Sequence, residues 1–442
     1  MSVRVCNEGL ADAEPAVPRI VAVGDVHGDL TALLCCLMIS ECVSADEMKW
    51  IAPPGTVMVI LGDVVDRYRR SSAEAGILLS GAPVPPRSLA RSLGEFEGEE
   101  LKALDVLNKL ARQAHAAGSG IVRLVGNHEL MQMTYTPNFF YQREYASPLA
   151  LGGTTDDDML RRYASFAEQD GKFHARIADC KPKAIIQIGS HVFVHGGINE
   201  AVIEHANGMQ MPLIELANDM LEDVLSSSPD QPTRYAADDI AAILTGVGPR
   251  RRGRNRHSGV LWDDDLSASL ADVADNDACS AAASRILKKL NENMRAYSRR
   301  EHQDAKHLVV SHCYQFNRQG ARATGGATTA SSAGEVPGRV VTRNEVVAEF
   351  TTRDASPRWR PTPADNQTMN AVCDGLVWRV DVGMSRAFAF DSVKAGLTDE
   401  QARVLRNSQR PSVLIIDDDG RDYAVRQYVP TLPGIYPPRI SL

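Results

Sequence analysis

The stretch that decides the fold is "PRIVAVGDVHGDL", residues 18–30. Ile20-Val21-Ala22-Val23 reads as an apolar strand, and the chain then breaks at Gly24 and Gly28, so Asp25 and His27 stand at the strand's C-terminal end. Open α/β sheets bind their ligands at that end. Taken alone, the pair reads as easily as a turn that satisfies its own backbone, so its meaning depends on what recurs downstream. "LTALLCCLMISECV" follows with apolar residues densely at helical spacing, and Asp29 stands where a cap is needed.

The unit of strand, glycine turn and polar side chain returns along the chain. "GTVMVILGDVVDR" carries a strand at Val57 to Leu61 and then Gly62-Asp63, and "GSGIVRLVGNHELM" carries one at Ile121 to Val125 and then Gly126-Asn127-His128-Glu129. "KAIIQIGSHVFVHGGIN" reads as a hairpin-like strand pair ending at His195, and "KHLVVSHCYQF" runs from Leu308 to Val310 into Ser311-His312. Further strands are expected in "RVVTRNEVVAEF", "GLVWRVDVGM" and "SVLIIDDDGRDYAVRQYV", the last with a tight turn at Asp419-Gly420.

The 442 residues are 44% hydrophobic and 24% charged, the balance of an ordinary globular protein. A formal net charge of −8 supplies no basic field for a nucleic-acid backbone. The longest apolar run, Val57 to Leu61, is too short to cross a bilayer, so neither nucleic acid nor membrane is expected as a partner. The eight cysteines show no CxxC pair and read as buried thiols in a reducing, cytoplasmic compartment. One domain over 18–428 is expected, between tails at 1–17 and 429–442. Insertions are expected near 69–100, 129–180 and 200–256, with a small, polar, flexible loop at 320–338. Tyr135, Phe139, Phe140 and Tyr141 read as packing of a helical cap over 129–180 rather than a stacking surface.

The polar residues at the strand ends are Asp25, His27, Asp63, Asn127, His195 and His312, separated by 2, 36, 64, 68 and 117 positions, so they can meet only in the fold. Oxygen and imidazole donors without a thiolate suit Mn, Fe, Zn or Mg. Six such donors imply two metals, with one carboxylate bridging cations roughly 3.5–4 Å apart. Asp63, in the middle of the set, is the bridging candidate; Asp25 and His27 complete one metal, and Asn127, His195 and His312 the other. A water held by such a pair has its pKa lowered towards ~7. His128 follows Asn127 directly and is the candidate general acid for the departing oxygen. Asp66 is placed to orient its imidazole, Arg67 offers a planar fork for phosphate oxygens, and Asn127 is a second phosphate contact.

"GDVHGD", "GDVVDR", "GNHE" and "HGG", in this order and followed by a late strand-end histidine, resemble the phosphoprotein phosphatases of the calcineurin-like metallophosphoesterase superfamily. The tail "VWRVDVGMSRAF" and "PSVLIIDDDG" is most similar to the Shewanella-like protein phosphatases. The resemblance implies an α/β fold with a central β-sandwich flanked by helices and a dinuclear site at the strand ends, with manganese as the first expectation. It implies ligand roles for the six residues above and catalytic roles for His128 and Asp66. The implied activity is hydrolysis of phosphomonoesters on serine or threonine of a protein or peptide, with tyrosine activity in related branches, by direct phosphoryl transfer to water. It names no regulatory partner. The chain departs from the pattern in three places: Tyr68 replaces the glycine after "GDVVDR", Ser311-His312-Cys313 replaces Gly-His-Thr, and acids follow Trp262 where relatives place a phosphate-binding arginine. Arg254 or Arg256 is the candidate replacement. A symmetrical diadenosine tetraphosphatase, which shares these motifs, and a catalytically silent scaffold are the alternatives.

Overall fold

The computed structural model describes residues 12–44, 47–66, 99–134, 164–166, 168, 171–227, 233–246, 259–266, 276–312, 346–352, 369–382, 384, 411–417 and 420–428. Arg67, Tyr68, Arg254, Arg256 and Cys313 lie outside them, as do the 320–338 loop, most of the 69–100 and 129–180 segments, and Asp419.

Among the described residues, two six-stranded sheets carry the fold. The first runs in the order β4 (Gly120–Arg123), β3 (Thr56–Ile60), β2 (Arg19–Val23), β11 (Ser412–Asp417), β12 (Asp422–Tyr428), β8 (Val346–Thr352). The second runs β1 (Ala13–Glu14), β5 (Ile185–Ile188), β6 (His191–Val194), β7 (His307–Val310), β10 (Val377–Arg379), β9 (Asn370–Val372). The sequence pattern explains their burial. β2, β3 and β4 are apolar almost throughout, as strands covered on both faces must be. In β5 to β7 the side chains divide by alternation: Ile186, Ile188, Phe193 and Val309 join one apolar cluster, while Ile185, Val192, Val194, Leu308 and Val310 join the other.

Helices close the outer faces. α1 (Leu30–Ile39) packs on β11 and β12, and α2 (Glu99–Ala116) packs on β4. α1 begins where expected, because the carboxylate of Asp29 accepts the N–H of Ala32 at 3.0 Å. α3 (Asn127–Thr134) leaves β4 directly, and the short α4 (Lys172–Ala178) lies against α2. On the far side, α5 (Glu200–Gly208), α6 (Leu213–Ser226) and α7 (Asn276–Tyr297) cover the second sheet's outer cluster. The expected sandwich between helical layers is therefore present, as is the expected hairpin, with β11 and β12 antiparallel from Ser412↔Gln427 to Asp417↔Asp422.

What positions the site is strand direction. β2, β3 and β4 run parallel with Val23 beside Ile60 and Ile60 beside Arg123. β6, β7 and β10 also run parallel, with Phe193 beside Val309 and Val310 beside Arg379. The C-terminal ends within each set are thus level, and the residues following them gather at one rim.

One expectation fails: Cys279 on α7 and Cys373 after β9 form a disulfide, while Cys35, Cys36 and Cys42 are buried thiols outside any disulfide, as read. The two partners are 94 positions apart and meet only because β9 docks beside α7, a proximity that spacing does not reveal. No helix among the described residues is long and apolar enough to cross a membrane.

Candidate metal centre

Backbone conformation marks the rim before any side chain is considered. His27, Asp63, Asp66 and His312 have φ of 44°, 47°, 62° and 65°, the left-handed region that costs non-glycine residues on the order of 1–3 kcal/mol each. Hydrogen bonds hold these turns in place. The N–H groups of Val26 and His27 donate to the carbonyl of Asp63 at 3.1 and 2.7 Å, and that of Gly28 donates to Val64. Glu129, fully buried, ties the turns after β3 and β4 together. Its carboxylate accepts the N–H groups of Asp63, Val64, Val65 and Gly126 at 2.7 to 3.0 Å. Gly126 must be glycine, since a Cβ there would fall 2.1 Å from the carboxylate oxygen of Asp63.

Asp63 stands at the centre. Its Oδ1 accepts the N–H of His128 at 2.9 Å. Its Oδ2 lies 3.4 Å from Nε2 of His195, 3.6 Å from Nε2 of His27 and 3.8 Å from Nε2 of His128. Such separations are long for hydrogen bonds and suit atoms that share a cation, since ligand atoms about 2.1 Å from one metal stand about 3–3.5 Å apart. Two groups of three could each hold a metal ion, His27 with Asp63 and His128, and Asp63 with His195 and His312, and Asp63 belongs to both. Asp25 joins beside the first, its Oδ2 3.8 Å from Nε2 of His27. Asn127 joins the second, its Oδ1 2.9 Å from Nε2 of His195 and 3.1 Å from Nδ1 of His312.

The donor set fits divalent cations on an observation of its own. Asp25 Oδ2 and Asp63 Oδ2 are buried without a hydrogen-bond partner among the described residues, which is costly for a carboxylate unless positive charge stands beside it. The Nδ1 of His195 donates to the carbonyl of Leu61 at 2.7 Å, which fixes its tautomer and leaves Nε2 as the ligand atom. Burial works against charge on His195, but the carboxylates of Asp63 and Asp25 outweigh it and raise the imidazole's pKa to about 10. Burial likewise opposes ionisation of Asp63, yet the imidazoles of His195, His128 and His27 hold it well below the usual carboxylate range. Asp25 is pushed well up, by burial and then by the neighbouring Asp381.

All six expected ligands, with His128 and Asp66, therefore meet at one rim, whereas Arg67, Arg254 and Arg256 lie outside the described residues. His128 falls within one of the two candidate ligand groups, which its reading as an acid did not require. Its Nδ1 is 3.0 Å from Oδ2 of Asp66, as expected. Several contributors escaped the sequence reading. Ser311 donates to Asp25 Oδ1 at 2.5 Å, a role its place before His312 could have suggested. Asp381, buried just past β10, carries part of the signal of the expected ligands, a polar residue at the end of an apolar strand, but without a glycine directly beside it. Gln132 and Glu100 left no signal of spacing, since each acts across a contact between elements distant in sequence, and Glu129, although it closes the "GNHE" stretch, gave no sign of the turn after β3 that it reaches.

The chain holds two Cys-x5-Arg spacings, Cys279 to Arg285 and Cys373 to Arg379, the spacing of a cysteine-dependent phosphatase loop. The first lies inside α7 with Arg285 facing Glu200, the second ends at Arg379 in β10, and the two cysteines are tied to each other in the disulfide, so neither forms a phosphate cradle.

Residues 18–281 match the calcineurin-like phosphoesterase family. The chain is 24% identical over 303 residues to Shewanella-like protein phosphatase 1 of Plasmodium berghei, an alignment covering 68% of this chain and 62% of that protein. It is 33% identical over 128 residues to Shewanella-like protein phosphatase 2 of Arabidopsis thaliana, covering 29% of this chain and 25% of that one. The chain thus spans less than two thirds of the length of either relative. A solved cold-active protein-tyrosine phosphatase from a psychrophilic Shewanella species aligns with 94% of this chain and 82% of its own, at 15% identity and a TM-score of 0.48.

Proposed function

The chain belongs to the calcineurin-like phosphoesterase family, and on that premise we propose that it hydrolyses phosphate monoesters on serine or threonine of proteins with the help of two divalent metal ions, manganese first among them. The observation that carries this reading is Asp63 Oδ2, buried and without a hydrogen-bond partner among the described residues, set 3.4 to 3.8 Å from three imidazole nitrogens. Asp25, His27 and Asp63 would hold one ion, and Asp63, Asn127, His195 and His312 the other. When bound, the pair supplies positive charge to the phosphate oxygens and lowers the pKa of a nearby water.

The chain's own residues account for the rest of the reaction. Attack forms a bond from the water oxygen to phosphorus and breaks the bond to the serine oxygen, so that oxygen needs a proton as it leaves. His128 is placed to supply it. A carboxylate can only accept, so the Nδ1 proton of His128 is held by Asp66 and Nε2 faces the rim. The product pair is free serine and inorganic phosphate, with no covalent intermediate. Arg67, directly after Asp66 in sequence, remains the candidate fork for the phosphate oxygens.

The test is phosphate release from a phosphoserine peptide by chelator-stripped protein with and without Mn²⁺, with a phosphotyrosine peptide and diadenosine tetraphosphate in parallel. Manganese-dependent turnover of the phosphoserine peptide, reduced ~10²–10⁴-fold by His128→Ala with both metals retained, is the expected result. Cleavage of the dinucleotide alone, or silence with two metals bound, overturns the assignment.

A further inference from the structure

Asp66 is held from at least three directions, and only one of these is the histidine it is read to orient. His128 Nδ1 meets its Oδ2 at 3.0 Å. The main-chain N–H of Asp66 donates to Glu100, at the start of α2, at 2.8 Å, anchoring a residue whose φ is 62°. The third contact comes from Gln132, whose Nε2 lies 3.0 Å from Oδ1 and 3.1 Å from Oδ2. The amide must present its nitrogen, because its oxygen against a carboxylate would be repulsive. Gln132 is one helical turn beyond His128 on α3, so one face of the helix offers both ring and amide to the same carboxylate. Gln132 is 2% exposed and belongs to neither group of candidate metal ligands.

A carboxylate bonded to a histidine through one oxygen can still turn about its own bond and carry the ring with it. A donor that spans both oxygens fixes the plane. We propose that Gln132 is a positioning residue that locks the Asp66 carboxylate and, through it, holds the Nε2 proton of His128 on the line of the departing oxygen. The inference rests on the proposed phosphatase reading, and its failure can be told apart from that reading's failure.

The experiment uses full-length, manganese-loaded protein and the near-isosteric Gln132→Met, which keeps volume and removes the donor. Two substrates are compared: a phosphoserine peptide, whose alkoxide needs a proton to leave, and p-nitrophenyl phosphate, whose leaving group does not. The expected result is a kcat lower by about 10-fold on the peptide and by less than about twofold on the aryl ester, with KM and metal content unchanged. In a His128→Ala background, Gln132→Met should change peptide turnover by less than about twofold, since a residue acting through His128 has nothing left to position. Gln132→Glu, which retains the volume and sets a second negative charge beside Asp66, should fall below Gln132→Met on the peptide and guards against a packing artefact in either variant. Equal losses on both substrates, losses that multiply with His128→Ala, or unchanged peptide turnover overturn the proposal. If His128→Ala itself leaves peptide turnover intact, the phosphatase reading falls and takes this inference with it.

Discussion

Two histidines stand four residues apart at the two ends of β6, and their surroundings give them opposite characters. His195, past the C-terminal end, faces Asp63 and Asp25, and their carboxylates raise its pKa to about 10 despite complete burial. His191, at the N-terminal end, stacks on His307 at 4.7 Å between ring centroids and hydrogen-bonds the hydroxyl of Tyr423 at 2.7 Å. Burial, and then the neighbouring His307, push its pKa well below that of a free imidazole. Trp378, on β10 of the same sheet, stacks on Tyr423, which β12 brings from the other sheet, completing a cluster of rings. β7 repeats the contrast, with His307 at its start and His312 beyond its end. Both ends bury histidine equally well, so burial does not distinguish a site from a core. The presence of carboxylates with unsatisfied oxygens does.

The comparison breaks most readily at Asp63. Asp63→Asn removes the charge shared by both candidate ligand groups, and we expect loss of bound metal with a fall in turnover of at least about 10³-fold. Elemental analysis of the purified variant is the check, and retention of two metals would contradict the shared role. A smaller effect is expected one layer behind. Glu129→Gln leaves an amide where a carboxylate accepted four N–H groups, so some donors lose their partner. The expected cost is about 2–4 kcal/mol, read as a lower Tm together with weaker manganese binding in chelator competition. Unchanged melting would show that the turns after β3 and β4 hold themselves.

The smallest effect belongs to the other end of β6. His191→Phe should leave turnover at pH 7 within about twofold, because His191 lies at the end of β6 opposite His195 and the rest of the gathered candidate ligands. Its signature is in pH dependence. A histidine whose folded pKa is depressed contributes stability that is complete above the unfolded pKa of about 6.5 and is lost as pH falls below it, at up to about 1.4 kcal/mol per pH unit. Melting between pH 7 and 5 should therefore fall less steeply in His191→Phe than in the parent, while His307, whose pKa burial also lowers, contributes a slope of its own in both. Equal slopes would show that His191 is not the neutral core residue the cluster implies.

The sequence alone determined the repeated unit. An apolar strand followed by glycine and an acid or histidine is a local pattern, and it placed Asp25, His27, Asp63, Asn127, His195 and His312 at strand ends because strand and turn propensities act within a few residues. It also placed His128 beside Asn127, since neighbours in sequence remain neighbours in space. Only the tertiary structure decided which residues stand behind these. Glu129 reaches back 64 to 66 positions to the turn after β3, Gln132 reaches 66 positions to Asp66, and Ser311 reaches 286 positions to Asp25. Cys279 and Cys373, read as thiols, meet across 94. Such contacts are set by the parallel register of strands and by helices docking on them, and a carboxylate aimed at a distant turn looks, in sequence, like any other. The same limit applies to His191 and His195, whose roles are set by the rings and carboxylates that the two sheets bring to each end of β6.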